Sequence, residues 1–421
     1  MDLHLQRGFF RWSIMMIIFM FVGVVIKPND ALSSNHRILF DSVLATPPPL
    51  PPPPPVGMCE SFVIIHGYQC QEFHVKTEDG YVLNIQRIPG RSSGGGQVNN
   101  QPVLLQHGVL VDGMTWLLNS PQQSLAFILA DTGFDVWIAN TRGTRFSRQH
   151  VSLNATQSAF WNWSWDELVD YDLPATFDLV FNQTGQKLHY VGHSMGTLIA
   201  LASFSEGKLV DKVRSAALLS PVAYLSHMTT AIGVLAAKAF VGEIITLIGV
   251  AEFNPKGKEV ADLLNALCKT PGINCYDLMS SFTGKNCCLN ASTVDLFLKN
   301  EPQSTSTKNM VHFAQTVRDG IVSKFNYGNE SGNLEHYGEN KPPIYNLSNI
   351  PSNVPLFISY GGKDALADVV DVQLLLDKLK FHERDALTTV FIQDYAHADF
   401  VMGVNAKEMV YNALIAFFKR H

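Results

Sequence analysis

The sequence predicts an α/β fold with a mostly parallel sheet, flanking helices and an inserted helical cap or lid. Short apolar strands alternate with helical segments along most of the chain, which is typical of a parallel sheet covered by helices on both faces. A Gly-x-Ser-x-Gly motif, residues 192–196, separates one such strand from the next helix. The alternation breaks in residues 222–350. Because this segment lies between two predicted core strands, we expect it to fold over one end of the sheet as the cap.

Each predicted element follows from its local pattern. Residues 81–88 alternate as a half-buried strand does, and the other strands are short apolar runs bounded by turn residues. Gly133 is expected to end the first helix, and Pro174 to kink the second. Strands are predicted at residues 81–88, 103–106, 134–139, 188–191, 215–219, 354–360 and 389–392, and helices at residues 121–132, 165–181, 196–206 and 407–419.

The N-terminus has the composition of a targeting segment. Arg7 and Arg11 precede an uncharged apolar run, residues 13–26, which is shorter than the roughly 20 residues that span a bilayer. Residues 1–33 are therefore predicted to be a signal peptide, with an uncleaved signal anchor as the alternative. Residues 34–56 form a proline-rich leader, which we expect to be an extended linker. The folded core is then predicted to comprise residues 57–221 and 351–421.

Composition excludes several classes of function. The 421 residues include 31 Lys and Arg and 37 Asp and Glu, so the net charge is −6 and no nucleic-acid partner is expected. Only 16% of the residues are charged, below the usual quarter, which indicates additional apolar surface. Residues 229–253 carry part of it, because they are almost entirely apolar or small. We expect a buried or interfacial pair of cap helices there and not a membrane span, since Lys238 and Glu243 would be costly in a bilayer.

The cysteines and the glycosylation sequons favour the secretory pathway. Cys59 and Cys70 lie close together and form the natural disulfide pair. Adjacent Cys287 and Cys288 are not expected to bridge each other, and the pairing within the cluster that they form with Cys268 and Cys275 stays open. There is no C-x-x-C or zinc-finger spacing, so neither a metal nor a cofactor is expected. Candidate glycosylation sites are the sequons at Asn154, Asn162, Asn182, Asn290, Asn329 and Asn346.

Ser194 is the candidate nucleophile. It stands at the centre of the 192–196 motif, between the predicted strand at residues 188–191 and the predicted helix at residues 196–206. A sharp strand-to-helix turn there exposes the serine hydroxyl, and the flanking glycines avoid the collisions that a Cβ would cause. The helix N-terminus also stabilises negative charge beside the serine. This context, more than the motif itself, predicts nucleophilic chemistry.

A serine nucleophile needs a general base and an acid that orients the base, and in this arrangement they follow the serine in the order acid, histidine. His397 is the candidate base, because it lies in a loop between the strand at residues 389–392 and the last helix. Asp364 is the candidate acid, since it is the first carboxylate after the strand at residues 354–360. Its competitors, Asp368 and Asp371, fall where the next helix is expected to begin, and Asp368 fits an N-cap.

Two backbone N–H groups are needed to stabilise the oxyanion of a tetrahedral intermediate. One is expected from Met195, the residue after the nucleophile. The other is expected from Val109, in the loop after the strand at residues 103–106. His107 and His193 lie close to these positions in the sequence, and we expect both to be structural residues and not catalytic bases.

These motifs closely resemble those of the acid lipase family, which includes gastric lipase, lysosomal acid lipase and plant triacylglycerol lipase-like proteins. The resemblance covers about residues 57–421. It implies an α/β-hydrolase fold with a cap and lid, hydrolysis of neutral lipid esters, the triad Ser194, Asp364 and His397, and an oxyanion hole at Val109 and Met195. The matching segments are TEDGY (77–81), LQHG (105–108), LAFILA (125–130), YDLPA (171–175), YVGHS (190–194) and GGKD (361–364).

The sequence departs from that family at two places. Met195 stands where the animal enzymes typically have Gln, and because the expected contact is through the backbone, we expect catalysis to survive. Cys268 fits one partner of the cap disulfide of the animal members, but Glu259 occupies the position of the other.

The function predicted from the ordered triad and this resemblance is that of a serine lipase, which hydrolyses triacylglycerol or steryl esters through an acyl-enzyme. An acyltransferase or a short-chain carboxylesterase with the same triad is the alternative, because the sequence defines neither the acyl acceptor nor the length of the ester. The expected partner is a lipid ester at a lipid–water interface, with peripheral contact to the lipid surface. The expected location is extracellular, or vacuolar or lysosomal. The sequence does not indicate an oligomeric state.

Overall fold

The computed structural model describes residues 57–90, 100–238, 240–247, 249–257 and 278–421. The predicted signal segment, the proline-rich leader, Glu259, Cys268 and Cys275 lie outside these residues. Within the part of the chain that the structure describes, no helix is both long enough and apolar enough to cross a membrane.

A mostly parallel sheet forms the central layer. Its strands follow one another in the order β1-β2-β4-β3-β6-β7-β10-β11, and β5 pairs with β2. The pairings from β4 to β11 are parallel, whereas the pairings of β2 with β1, β4 and β5 are antiparallel. The strand bounds are β1 Gln71–Lys76, β2 Tyr81–Ile88, β3 Pro102–Gln106, β4 Asp135–Ala139, β5 Gln149–His150, β6 Leu188–Ser194, β7 Val213–Pro221, β8 Glu252–Phe253, β9 Thr305–Ser306, β10 Leu356–Gly361 and β11 Leu387–Ile392.

Helices cover the sheet and fill the connections. The α-helices of the described residues are α1 Leu125–Asp131, α2 Trp165–Glu167, α3 Leu173–Thr184, α4 Met195–Ser205, α5 Ala231–Lys238, α6 Val241–Leu247, α7 Leu278–Thr283, α8 Ala291–Asn300, α9 Thr307–Asp319, α10 Glu330–Tyr337, α11 Val369–Lys378, α12 Asp399–Met402 and α13 Asn412–Arg420. Short 3₁₀ turns occur at Ile64–His66, Gly113–Leu117, Ser158–Trp161 and Leu347–Asn349, and π-helical turns at Cys59–Val63, Leu168–Asp172 and Lys407–Tyr411.

The core lies on both faces of the sheet. Every residue of β3, β6 and β10 is buried, as expected for parallel strands covered on two sides. Successive side chains point to opposite faces, so Leu104 packs in one apolar cluster and Leu105 in the other. Helix α4 is buried along its whole length, because its side chains are apolar or small all around. These layers confirm the predicted α/β class.

The elements differ from the predictions mainly at their ends. The predicted helix at residues 165–181 is two helices, α2 and α3, joined by a π-helical turn at Leu168–Asp172. Pro174 lies in the first turn of α3, where its missing N–H breaks no hydrogen bond. The first helix begins at Leu125 and not at residue 121. The last predicted helix begins as a π-helical turn before α13.

The chain between β7 and β10, called the insertion below, connects two strands that are neighbours in the central sheet. It contains α5 to α10, and its two short strands, β8 and β9, pair only with each other. Helices α5 and α6 are the helix pair that the apolar run at residues 229–253 predicts. The insertion reaches the ends of the central strands through isolated bridges, from Gly284 to Asp364 and from Leu289 to Gly403. It therefore lies directly against the loops that follow β10 and β11.

Two disulfides occur among the described residues. Cys59 and Cys70 form a disulfide with their Cα atoms 5.4 Å apart, the pairing that the sequence favours. Cys287 and Cys288 also form a disulfide with each other, so the prediction that these neighbours do not bridge was wrong. The backbone N–H groups of both residues donate to the carboxylate of Asp399, at 3.2 and 3.1 Å. This shared acceptor fixes the local bend in which the two side chains meet.

Candidate active site

Ser194 lies at a strained turn between β6 and α4. Its backbone has φ 56° and ψ −121°, a left-handed conformation that non-glycine residues rarely adopt. A Cβ at Gly192 would lie 2.7 Å from the backbone of Gly196, and a Cβ at Gly196 would lie 2.5 Å from the carbonyl oxygen of Gln106. The turn is therefore compatible only with glycine on each side of the serine.

Asp364 and His397 form a buried pair in the loops after β10 and β11. The Nδ1 atom of His397 lies 3.0 Å from Oδ2 and 3.1 Å from Oδ1 of Asp364. Oδ1 also accepts hydrogen bonds from the N–H groups of Leu366 and Ala367, at 2.9 Å each. Burial alone would raise the pKa of Asp364, but the charge of His397 and these hydrogen bonds outweigh it and lower that pKa below its usual value. The carboxylate therefore stays ionised and fixes the orientation of the imidazole.

His193 joins the loop after β11 that carries His397, called the histidine loop below, to the turn at Ser194, called the nucleophile turn below. Its Nε2–H donates to the carbonyl oxygen of His397 at 2.9 Å, and the two imidazole rings lie 4.8 Å apart between centroids. Burial and the neighbouring His397 lower the pKa of His193 to about 3, so this side chain stays neutral. The Nε2 atom of His397 is buried and has no hydrogen-bond partner among the described residues. The Asp364–His397 pair thus leaves Nε2 of His397 unused, next to the nucleophile turn.

The loop after β3 packs on Ser194. A Cβ at Gly108 would lie 2.9 Å from the Cβ of Ser194, so only glycine allows this close approach. His107 holds the loop in place, because its Nδ1–H donates to the carbonyl oxygen of Gly108 at 2.7 Å and its Nε2 accepts the N–H of Thr141 at 3.0 Å. Burial lowers the pKa of His107, which leaves it neutral. Both nitrogens of His107 are thus used in structural contacts.

The other carboxylates near the predicted acid have different contacts. Asp368 caps α11 by accepting the N–H of Val370 at 2.8 Å. Asp371 binds the imidazole of His227 at 2.7 Å. Of the three carboxylates, the predicted acid Asp364 is the one that contacts His397.

The insertion supports the histidine loop through several contacts, which the sequence did not predict. The carbonyl oxygen of Thr283 accepts the N–H of His397 at 3.0 Å. The side chain of Asn286 accepts the N–H of Ala398 at 3.2 Å. Asp399 is fully buried and accepts the N–H of Ala396 at 2.8 Å as well as those of the paired cysteines. Asp399, the first residue of α12, therefore joins the loop of His397 to the insertion.

Ser220 is a further polar residue that the sequence did not single out. It is fully buried at the end of β7, beside β6, and its hydroxyl donates to Oδ2 of Asp364. The same hydroxyl lies 3.1 Å from Nδ1 of His397. A serine before a proline at a strand end has no distinctive sequence pattern, so only the structure reveals this contact.

One group of side chains in the described part of the chain has the spacing of metal ligands. It consists of Cys287, Cys288 and Asp399. Both sulfur atoms are in a disulfide, and the carboxylate oxygens accept three backbone N–H groups. These donors do not fit a cation, because the thiolates that would bind one are oxidised.

Known families and proteins are similar to most of this chain. A model described as a partial alpha/beta-hydrolase lipase region matches residues 59–120, and a model described as the alpha/beta hydrolase fold matches residues 101–403. Triacylglycerol lipase 2 of Arabidopsis thaliana is 62% identical over 367 residues, which cover 86% of this chain and 88% of that protein. Lysosomal acid lipase/cholesteryl ester hydrolase of Homo sapiens is 37% identical over 370 residues, which cover 84% and 89%.

Structural similarity supports the same fold. A soluble variant of monoglyceride lipase from Saccharomyces cerevisiae superimposes with a TM-score of 0.53 at 14% identity, covering 88% of this chain and 99% of that chain. At this identity the similarity concerns the fold alone. The relatives in sequence, by contrast, align along most of their own length. The chain therefore belongs to the acid lipase family of α/β-hydrolases, and it is a carboxylic ester hydrolase of the lipase class.

Proposed function

We propose that this lipase hydrolyses neutral lipid esters through Ser194, His397 and Asp364. The Oγ of Ser194 attacks the ester carbonyl while Nε2 of His397 takes its proton, and Asp364 stabilises the imidazolium through Nδ1–H. The tetrahedral intermediate collapses, the C–O bond to the alcohol breaks, and His397 returns the proton to the departing alcohol. Water then attacks the acyl-enzyme with His397 again as the base, which releases the fatty acid and restores Ser194.

The backbone N–H groups of Val109 and Met195 are proposed to bind the oxyanion. Met195 follows the nucleophile at the N-terminus of α4, and Val109 follows Gly108 in the loop that packs on Ser194. Donors placed where negative charge develops stabilise the transition state more than the ester. Since the contact is through the backbone N–H, a methionine at position 195 can supply this donor as well as any other residue could.

The observation that carries this proposal is the buried Asp364–His397 pair, held beside the nucleophile turn with the second imidazole nitrogen unused. The test is Ser194→Ala, assayed on a soluble short-chain ester and on a long-chain triacylglycerol emulsion. Turnover of both should fall by about 10⁴-fold or more. Ser203→Ala is the matched control, because Ser203 is a buried serine of α4 whose hydroxyl has no hydrogen-bond partner among the described residues. Retained turnover in Ser194→Ala would exclude the mechanism.

The proposed substrates are triacylglycerols or steryl esters presented at a lipid–water interface. The names of the relatives support this class of substrate, since one is a triacylglycerol lipase and another a cholesteryl ester hydrolase. Helices α5 and α6, which we propose as part of a cap over the site, leave large apolar side chains exposed. These are Ile244 and Leu247 of α6, together with Phe240, which lies between the two helices. Exposed apolar side chains clustered in this way are typical of a surface that contacts lipid.

We further propose that the protein enters the secretory pathway and acts outside the cell or in a vacuole or lysosome. The six sequon asparagines, Asn154, Asn162, Asn182, Asn290, Asn329 and Asn346, are all exposed and so accessible to a glycosyltransferase. The Cys59–Cys70 disulfide suits an oxidising compartment. Treatment of the protein from its native source with a peptide N-glycosidase tests this proposal. We expect the mass of the protein to decrease. An unchanged mass would mean that none of the six sequons carries a glycan, which would contradict secretion.

A further inference from the structure

A serine with a positive φ lies at or next to the end of each of two neighbouring strands. Ser194 ends β6 with φ 56°, and Ser220, near the end of β7, has φ 52°. A positive φ is uncommon outside glycine and costs conformational energy. At Ser194 the nucleophile turn accounts for it. At Ser220 no motif does, although glycine would adopt this conformation without strain. A serine at this strained position therefore points to a role of its hydroxyl.

The hydroxyl of Ser220 lies between Asp364 and His397, the two residues proposed to activate Ser194. It donates its one hydrogen to Oδ2 of Asp364, and its oxygen lies 3.1 Å from Nδ1 of His397. Oδ1 of Asp364 is held separately by the N–H groups of Leu366 and Ala367. Each carboxylate oxygen therefore has its own donor from the protein besides the imidazole. Together these contacts leave the carboxylate only one orientation toward the ring.

We propose that Ser220 is a positioning residue of the reaction, whose hydroxyl orients the Asp364 carboxylate and shares the Nδ1–H of His397. The proposal rests on the proposed triad and goes beyond it by adding a fourth member. A donor on the carboxylate disperses its negative charge, so the carboxylate favours the imidazolium less strongly. The neutral imidazole is the form that accepts the proton of Ser194.

Other titratable groups near His397 do not take this role. His193 stays neutral, since burial and His397 lower its pKa to about 3. Asp399 is turned to the backbone N–H groups of the histidine loop and of the insertion. Only Ser220 contacts both Asp364 and His397 through one side-chain atom among the described residues. A change at Ser220 should therefore alter the pair without altering these neighbours.

The test uses two substitutions that separate the hydroxyl from the backbone conformation. Ser220→Ala removes the hydroxyl and keeps the strained φ, whereas Ser220→Gly removes the hydroxyl and relieves the strain. Values of kcat and KM are measured on a soluble short-chain ester between pH 4 and 9. We expect both variants to move the acid limb of kcat/KM to higher pH by about half a unit, and to lower kcat by about threefold to tenfold with little change in KM.

Ser359→Ala is the matched control, because Ser359 is a buried serine on the neighbouring strand β10 and has no hydrogen-bond partner among the described residues. It should keep the wild-type pH profile. Wild-type profiles and kcat in both Ser220 variants would overturn the positioning role. A change in Ser220→Ala that Ser220→Gly abolishes would also overturn it, because backbone strain would then be the cause. Thermal unfolding of each variant shows that the assays compare folded proteins.

Parallel assays of Ser194→Ala distinguish the two proposals. Loss of turnover in Ser194→Ala together with wild-type behaviour of the Ser220 variants removes only the role of Ser220. Retained turnover in Ser194→Ala removes the triad itself, and the positioning role with it. Loss in Ser194→Ala with a shifted acid limb in both Ser220 variants supports both proposals.

Discussion

The backbone carbonyl of Thr283, in the insertion, accepts the N–H of His397, in the loop after β11, at 3.0 Å. Residue 283 ends helix α7, and the turn that follows it also pairs with Asp364 through Gly284. The insertion thus contacts the loops of both residues that are proposed to activate Ser194. A helical insertion of this kind does more than cover the sheet, because it holds the histidine loop in one position.

Asp399→Asn tests this support. The buried carboxylate accepts three backbone N–H groups, two of them from the insertion. The amide of asparagine has a single acceptor oxygen, so it cannot accept all three. We expect the free energy of unfolding to fall by about 1–3 kcal/mol and kcat on a soluble ester to fall as well, because the histidine loop loosens. Urea unfolding and steady-state kinetics measure the two effects. Asp368→Asn is the control: this half-buried residue caps α11, and asparagine caps a helix equally well. Wild-type kcat in Asp399→Asn would show that the support does not reach the site.

Gly108→Ala tests the close packing of the loop after β3 on the nucleophile. A methyl group there would lie 2.9 Å from the Cβ of Ser194, so the loop must move away and carry the N–H of Val109 with it. Loss of one oxyanion donor lowers kcat by about 10²–10³-fold, which is the expected result on a soluble ester. Gly207→Ala is the control, since its φ of 71° makes it mildly destabilising but nothing lies within 4 Å of the added methyl. Equal losses of activity in both variants would mean general destabilisation.

Much of the site was predictable because it lies at strand ends, where chain order and turn chemistry limit the choices. In the sequence, the strand before Ser194 is an apolar run, and the helix after Ser194 is a segment bounded by glycines. Asp364 and His397 follow two later strands, and parallel strands bring their carboxyl ends to one edge of the sheet. The local sequence pattern therefore predicts all three residues at one edge of the sheet without any knowledge of the insertion.

The remaining features depend on contacts between segments far apart in sequence. The Cys287–Cys288 disulfide forms in a bend held by Asp399, which is more than a hundred residues away. Ser220 contacts Asp364 and His397 only because β7 lies between β6 and β10. Neither contact leaves a periodic or motif-like signal. The prediction for the adjacent cysteines failed for this reason, since it considered the two residues without the acceptor that orients them.

Asp166 should make the fold more stable in acid. Burial raises its pKa to about 7, although the N–H of Phe325 and the hydroxyl of Tyr345 donate to it at 2.7 and 2.8 Å. His312, 3.9 Å away, adds no compensating charge, because burial lowers its pKa to about 3. The folded protein therefore holds a proton that the unfolded chain releases near pH 4. This contribution is complete below about pH 4 and is lost as the pH rises to about 7.

Asp166→Asn removes this pH dependence. Urea unfolding of the wild-type protein between pH 4 and 7 should include a decline of up to about 1.4 kcal/mol per pH unit from this group, and the variant should lack it. The asparagine can still accept from Phe325 and donate to Tyr345, so the variant should fold. Asp178→Asn, at an exposed carboxylate paired with Lys212, is the control and should leave the slope unchanged. Identical slopes in Asp166→Asn and the wild-type protein would refute the assignment to Asp166.

Leu247→Ser tests whether the exposed apolar side chains of α6 contact lipid. Leu247 is 84% exposed, so replacing it removes little from the protein core but takes an apolar group from the surface proposed to meet the substrate. Turnover of a long-chain emulsion should fall severalfold while turnover of a soluble short ester stays near the wild-type value, because only the emulsion requires adsorption to an interface. Phe381→Ser is the matched control, since Phe381 is 81% exposed but lies beyond α11, outside the insertion. Equal losses on both substrates in Leu247→Ser would point to damage of the fold and not to a lipid-binding surface.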